Sequence, residues 1–215
     1  MTEFHAFTGE RPAHPLDYWT SPDLARVSPP NAPSRLRQLA DAQAARAAAW
    51  SSAVAAGPVL LLAGGFASAL SGKPAWVLVL GPAGVALAAL GVAGWQRSRR
   101  RLPDTRTVLI TRGPGSARGG VMMVAVPALV LGAILAVAAP GIAARGGNTL
   151  AAVAGAYGLL VALLVACILV PAVVLGRGRE SFRRRLGTDP RLRAAVEADL
   201  AAWHDPRGSA GFGPL

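Results

Sequence analysis

Four stretches of this chain contain no Asp, Glu, Lys or Arg at all: residues 47–72, 74–96, 119–144 and 146–176. A hydrocarbon core about 30 Å thick is crossed by ~20 helical residues at a rise of 1.5 Å each. The stretches hold 26, 23, 26 and 31 residues, so each is long enough. Helices of a soluble bundle would need polar faces toward water, and these segments have none. The sequence therefore predicts an all-α membrane protein with four transmembrane helices, near Ser51–Leu70, Ala75–Trp95, Val121–Ala143 and Leu150–Leu175. The last is long enough to tilt within the bilayer.

Composition agrees with that reading. Apolar residues make up 53% of the chain and charged ones 15%, and the mean hydropathy of +0.41 lies above that of ordinary soluble domains. Nearly fifty mostly polar residues precede the first apolar run, unlike the short basic leader of a signal peptide, so the first span is expected to stay in the mature protein. The single cysteine, Cys167, falls inside the fourth run, which excludes an intrachain disulfide and a CxxC pair. Basic residues are 21 Arg against one Lys, a bias that points to GC-rich bacterial coding.

Orientation follows from where those cations lie, because Lys and Arg near span ends are retained in the cytoplasm. The tails and the central loop carry 20 Arg, whereas the turns at residues 71–74 and 145–148 carry one Lys and one Arg. Trp50 and Trp95 fall at the inner ends of the first two spans and Trp76 at the outer end of the second, where indoles favour the interface. The expected architecture is a four-helix bundle of two hairpins in a bacterial plasma membrane, with both termini cytoplasmic. It comprises a cytoplasmic arm and amphipathic helix (1–50), a first hairpin (51–95), a basic inner loop (96–120), a second hairpin (121–175) and a basic tail (176–215).

Two amphipathic helices are expected outside the spans. From Ser34, a candidate N-cap, Leu36, Leu39, Ala40, Ala47 and Trp50 recur at helical spacing, as in an interfacial helix feeding the first span. Near the C-terminus Asp189 can cap and Pro190 suits the first helical position. Leu192, Val196, Leu200 and Trp203 then form a stripe suited to the membrane surface or to a partner. The segment before Pro29 reads as an irregular arm, and the Gly and Pro after residue 205 as a loose end. An RRRL run followed by Asp recurs after the second and fourth spans, as a duplicated hairpin would give.

The chemistry-bearing residues are few. The spans hold no ionisable proton relay, and His5, His14 and His204 are all in the tails. No catalytic, cofactor or metal site is expected. Asp104 and Glu180 are the acids nearest the spans, both among arginines, and one carboxylate in the central loop falls short of a Mg²⁺ site. The Gly113–Gly120 segment lacks the Lys-Ser/Thr of a P-loop and reads as a connector, and Thr107–Thr111 is too short to assign. A net charge of +11 admits nucleic acid, but arginines beside spans more simply serve topology and anionic headgroups. Arg99, Arg100, Arg101, Arg183, Arg184 and Arg185 are the expected headgroup contacts.

Within the spans, Gly84 and Ala88, Gly132 and Ala136, and Ala151 and Gly155 have the small-xxx-small spacing that lets helices approach closely. Prolines 58, 82, 127, 140 and 171 are expected to kink or end helices. Together these features favour a non-catalytic accessory or assembly component of a membrane complex, partnered by anionic lipid and by another membrane protein or a second copy. The alternatives are a transporter or channel subunit and an enzyme acting on lipid headgroups at the inner interface.

Overall fold

A computed structural model of the chain describes residues 14–29, 32, 34–101, 117–203 and 211–215. Among them there is no strand, and the helices run in the order α1 (Leu16–Trp19), α2 (Pro22–Val27), α3 (Arg35–Ser71), α4 (Ala75–Arg100), α5 (Ala117–Ala143), α6 (Gly147–Leu164), α7 (Val170–Gly176), α8 (Gly178–Thr188) and α9 (Pro190–Ala202). A π-helical turn, Val165–Leu169, joins α6 to α7. Helices α3, α4, α5 and the run Gly147–Gly176 are each long and apolar enough to cross a membrane.

None of the five prolines ends a helix at its own position. Pro58, Pro82, Pro127 and Pro140 lie inside α3, α4 and α5. Pro171 sits at the start of α7, directly after the π turn. The proline has no N–H to give the Cys167 carbonyl and its ring would collide with that group. The widened turn, of the kind that bends long helices, accommodates both effects. Gly72, at φ +65°, ends α3 in the left-handed region that glycine enters without a steric cost.

The chain divides into two compact units. The first comprises Met1–Ala42, Leu102–Ile110 and Gly178–Leu215, and the second Gln43–Arg101 and Thr111–Arg177. In the first, Leu16, Leu36, Leu39, Phe182, Leu186, Leu192, Val196, Leu200, Phe212 and Leu215 form one buried core, with Trp19 and Trp203 packed against it. The apolar stripe of α9 is thus covered by the chain itself rather than left for membrane or partner. The same holds for the start of α3, which is no separate interfacial helix: Leu36 and Ala40 are wholly buried in a helix that continues unbroken to Ser71.

Two further segments differ from expectation. The arm before Pro29 contains α1 and α2, and Leu16 enters the core. Residues 211–215 are packed instead of loose, for a reason that lies in the helix they touch. The first N–H groups of a helix have no partner within it. Arg35 N and Leu36 N donate to Gly211 O at 3.0 Å and Phe212 O at 2.8 Å. Ser34 Oγ accepts from Arg37 N at 3.2 Å and donates to Pro214 O at 2.7 Å. Ser34 is the N-cap its position suggested, and the C-terminal segment completes the cap.

Asp189 accepts from Arg191 N and Leu192 N, and so opens α9. Replacing such a cap by alanine costs about 1 kcal/mol. Asp189→Ala is therefore expected to raise amide hydrogen exchange in the first turn of α9 about fivefold, leaving the spans unchanged. Equal exchange in both proteins would remove Asp189 from that role.

In the second unit α3 and α4 meet through glycines. A Cβ placed on Gly84 would lie 2.6 Å from Gly57 O, and one on Gly91 2.7 Å from Val54 N. Such backbone approach brings the two helices into close dispersion contact. Helices α5 and α6 meet where Tyr157 Oη donates to Ala128 O at 2.8 Å. Gly132 gives that phenol its space, since a Cβ there would stand 2.9 Å from Oη.

Candidate functional site

The described residues of the second unit form a half-open cavity of about 280 Å³ lined by Arg46, Trp50, Leu90, Ala93, Gly94, Arg97, Ser98 and Arg101. Its cations come from two helices. Residues four apart share a helix face, so α3 presents Arg46 with Trp50, while α4 presents Arg97 and is followed at its C-cap by Arg101. Gly94 lies under the Trp50 indole, where any side chain would meet the ring. Gln43 Nε2 donates to Arg101 O at 3.2 Å, which ties the C-cap of α4 to α3 beside the cavity. Ser98 Oγ donates to Gly94 O at 2.8 Å, so its proton is committed to the helix.

The three cavity guanidinia contrast with those of the first unit. Arg35 and Asp199 form a fork-to-fork pair, Nε–Oδ2 and Nη2–Oδ1 both 3.1 Å, with side chains 9% and 7% exposed. Arg179 grips Asp41 in the same way at 3.0 and 2.7 Å, and that hydrogen bond raises its pKa above the usual arginine value. Arg37 donates to Pro29 O at 2.6 Å and Ala32 O at 2.8 Å. Burial, reinforced by the Arg179 charge, lowers its pKa. For Arg46, Arg97 and Arg101, no ion pair forms with any carboxylate among the described residues.

Of the six arginines expected to meet headgroups, Arg101 lines the cavity. Arg99 lies over the Trp95 ring at 5.3 Å, and Arg100 is exposed. The other three belong to α8 and have protein partners. Arg183 donates to Thr20 O, Leu215 O and Glu180, each at 2.9 Å, Arg184 pairs with Glu180 at 3.0 Å, and Arg185 approaches Asp189 at 4.0 Å. The hydrogen bond from Arg184, with Arg183 adding to it, holds the Glu180 carboxyl below its usual range. Arg46 and Arg97 were missed by reading arginine runs. The signal that finds them is the four-residue spacing of Arg97 to Arg101 and of Arg46 to Trp50.

Among the six packing residues, Gly84 and Ala88 lie against Gly57, Gly132 against Tyr157 and Gly155 against the Phe66 ring. Ala136 and Ala151 are exposed. Of the two acids nearest the spans, Asp104 lies outside the described residues, as do Thr107–Thr111, residues 113–116, His5 and His204. Each described carboxylate has a guanidinium within ion-pair distance. These are Asp17, Asp23, Asp41, Glu180, Asp189, Glu197 and Asp199. His14 stacks on Tyr18 with ring centroids 4.1 Å apart. No group of three or more His, Cys, Asp or Glu able to hold a metal occurs among the described residues.

Comparison with known families matches residues 60–172 to the family described as Rossmann-like domain. Neither curated proteins nor solved structures give a match. The described residues of the matched stretch form helices and turns, from the end of α3 into α7.

Proposed function

This chain belongs to the Rossmann-like domain family, and we propose that it acts as a non-catalytic accessory or assembly component of a membrane complex. The family name brings no dinucleotide role here. Such a site rests on a G-x-G-x-x-G turn between strand and helix, and residues 60–172 contain no such glycine pattern. The observation that carries the reading is the pairing of every described carboxylate with arginine. Acid–base or metal chemistry needs carboxylates or imidazoles poised at a cleft, whereas these acids are engaged by arginines, Asp17, Asp41 and Asp199 between helices and Asp23, Glu180 and Glu197 along their own.

In this reading the four long apolar helices cross a bacterial plasma membrane as two hairpins, with both termini in the cytoplasm. The distribution of 20 of the 21 arginines to tails and central loop supports that orientation. Wide apolar faces remain for lipid or partner helices: Met122, Val126, Leu129 and Val137 of α5 are 56–85% exposed. Partners would pack there through the dispersion contacts that join helices in lipid.

The test is affinity purification of the full chain from its native membrane in mild detergent, with mass spectrometry and a mass measurement of the purified particle. Reproducible recovery of a larger membrane assembly is expected. A lone monomer or homo-oligomer would overturn the accessory role and favour transport. Deleting Pro190–Leu215 is not a suitable probe for partner binding, because it removes Leu192, Val196, Leu200, Phe212 and Leu215 from the core.

A further inference from the structure

We infer that the cavity between the Arg46 end of α3 and the Arg97–Arg101 end of α4 binds a phosphate-bearing anion, and that its occupant is the headgroup of an anionic phospholipid. The inference deepens the membrane reading above and rests on it, because it requires these ends of α3 and α4 to lie at the inner leaflet.

Three arginines line one pocket, and none is neutralised by a carboxylate among the described residues. In the first unit seven arginines pair with carboxylates, down to the buried Arg35–Asp199 fork, whereas in the second unit Arg118, Arg145 and Arg177, like these three, join no ion pair among the described residues. Three like charges facing a common space repel unless an anion sits among them, and guanidinium forks match phosphate oxygens two at a time. Ser98 cannot add a donated proton, since it gives its own to Gly94 O. Recognition therefore falls to Arg46, Arg97 and Arg101.

The polarity of the walls selects the source of the phosphate. Leu90, Ala93, Gly94 and the Trp50 indole form an apolar wall, while Arg97, Ser98 and Arg101 form a polar wall a turn or two further along α4. A free phosphate has no use for the apolar wall. A phospholipid needs both, with its phosphate among the cations and its glycerol and first methylenes along Leu90 and Ala93. A volume of about 280 Å³ is many times the ~10–15 Å³ that a single water needs, room enough for a phosphoglycerol. The indole of Trp50 suits the membrane interface that such a lipid occupies.

Native mass spectrometry of the purified full chain tests this with phosphatidylglycerol, phosphatidylcholine and inorganic phosphate as probes. Retention of phosphatidylglycerol is expected to exceed that of phosphatidylcholine. It should fall about tenfold or more in the Arg46→Ala/Arg97→Ala/Arg101→Ala protein, headgroup contacts near the surface being individually modest. The Lys-substituted triple, which keeps the charge and loses the fork, should fall between, and it serves if the alanine triple does not fold. Removing three exposed charges elsewhere, as Arg118→Ala/Arg177→Ala/Arg191→Ala, should leave retention within about twofold.

Equal losses in the two alanine triples would reduce the effect to general surface charge and overturn the site. Displacement of the lipid by millimolar phosphate would overturn the lipid assignment in favour of a soluble anion. Orientation is read separately, by labelling Lys73→Cys from outside intact cells in a Cys167→Ser background. An unlabelled outer turn would overturn the topology, whereas unchanged lipid retention with a labelled turn would overturn the site alone. Neither result depends on which proteins co-purify.

Discussion

Gly84→Leu is expected to lower the melting temperature of the purified chain by about 6–12 °C. The leucine would begin 2.6 Å from the Gly57 carbonyl oxygen and 3.2 Å from Leu61 N, both backbone atoms that cannot rotate aside. Relief requires α3 and α4 to separate over several residues, and Gly57 loses its contact with Ala88 in the process. Overpacking of this kind costs about 1–3 kcal/mol, and a backbone neighbour places it at the upper end. At 2–4 °C per kcal/mol for a chain of this size, about 3 kcal/mol gives the stated shift. Gly65→Leu is the matched control, since a Cβ there meets nothing within 4 Å. A glycine-to-leucine change at 65 should leave melting within about 2 °C. Thermal unfolding of both variants in one detergent decides the matter, and equal melting would mean that Gly84 does not set the approach of α3 to α4.

Asp199→Ala should be as costly, in the other unit and for an electrostatic reason. Arg35 and Asp199 are 9% and 7% exposed, and each oxygen of the carboxylate accepts from the guanidinium. Removing the acid leaves a guanidinium in a site too dry to solvate it, at a cost of about 3–5 kcal/mol. Peptide-level hydrogen exchange should show this as a rise of at least about a hundredfold across α9 and the first turns of α3, with α5 and α6 unchanged. The double change Arg35→Met/Asp199→Leu should recover much of the protection, because a paired ion replaced by packed apolar groups is often neutral. Asp23→Ala is the surface comparison. Its pair with Arg26 is more than 80% exposed on both sides, so a change within about 0.5 kcal/mol is expected. Protection of α9 unaltered in Asp199→Ala would show that the fork contributes nothing to the unit.

These two predictions draw on different layers of information. Gly84 stands out in the sequence through its spacing from Ala88, yet its partner Gly57 lies in another helix with no pattern pointing to it. Arg35 and Asp199 are 164 residues apart, Arg179 and Asp41 138, and Arg193 and Asp17 176. Nothing local marks them as pairs, which is why the arginines of α8 read as free cations beside a span.

The amino-acid sequence by itself determined the four apolar helices, because crossing length and the absence of charge are properties of a contiguous stretch. It also determined the caps at Ser34 and Asp189, whose hydrogen bonds reach only two or three residues along the chain. Tertiary structure decided where the stripes of α3 and α9 are buried, which arginines are neutralised, and that Arg46 joins Arg97 and Arg101 around one cavity. Each of those outcomes depends on a partner brought close only by folding. The energy of a buried stripe or an ion pair belongs to the contact, and a contact between distant residues leaves no period in the sequence.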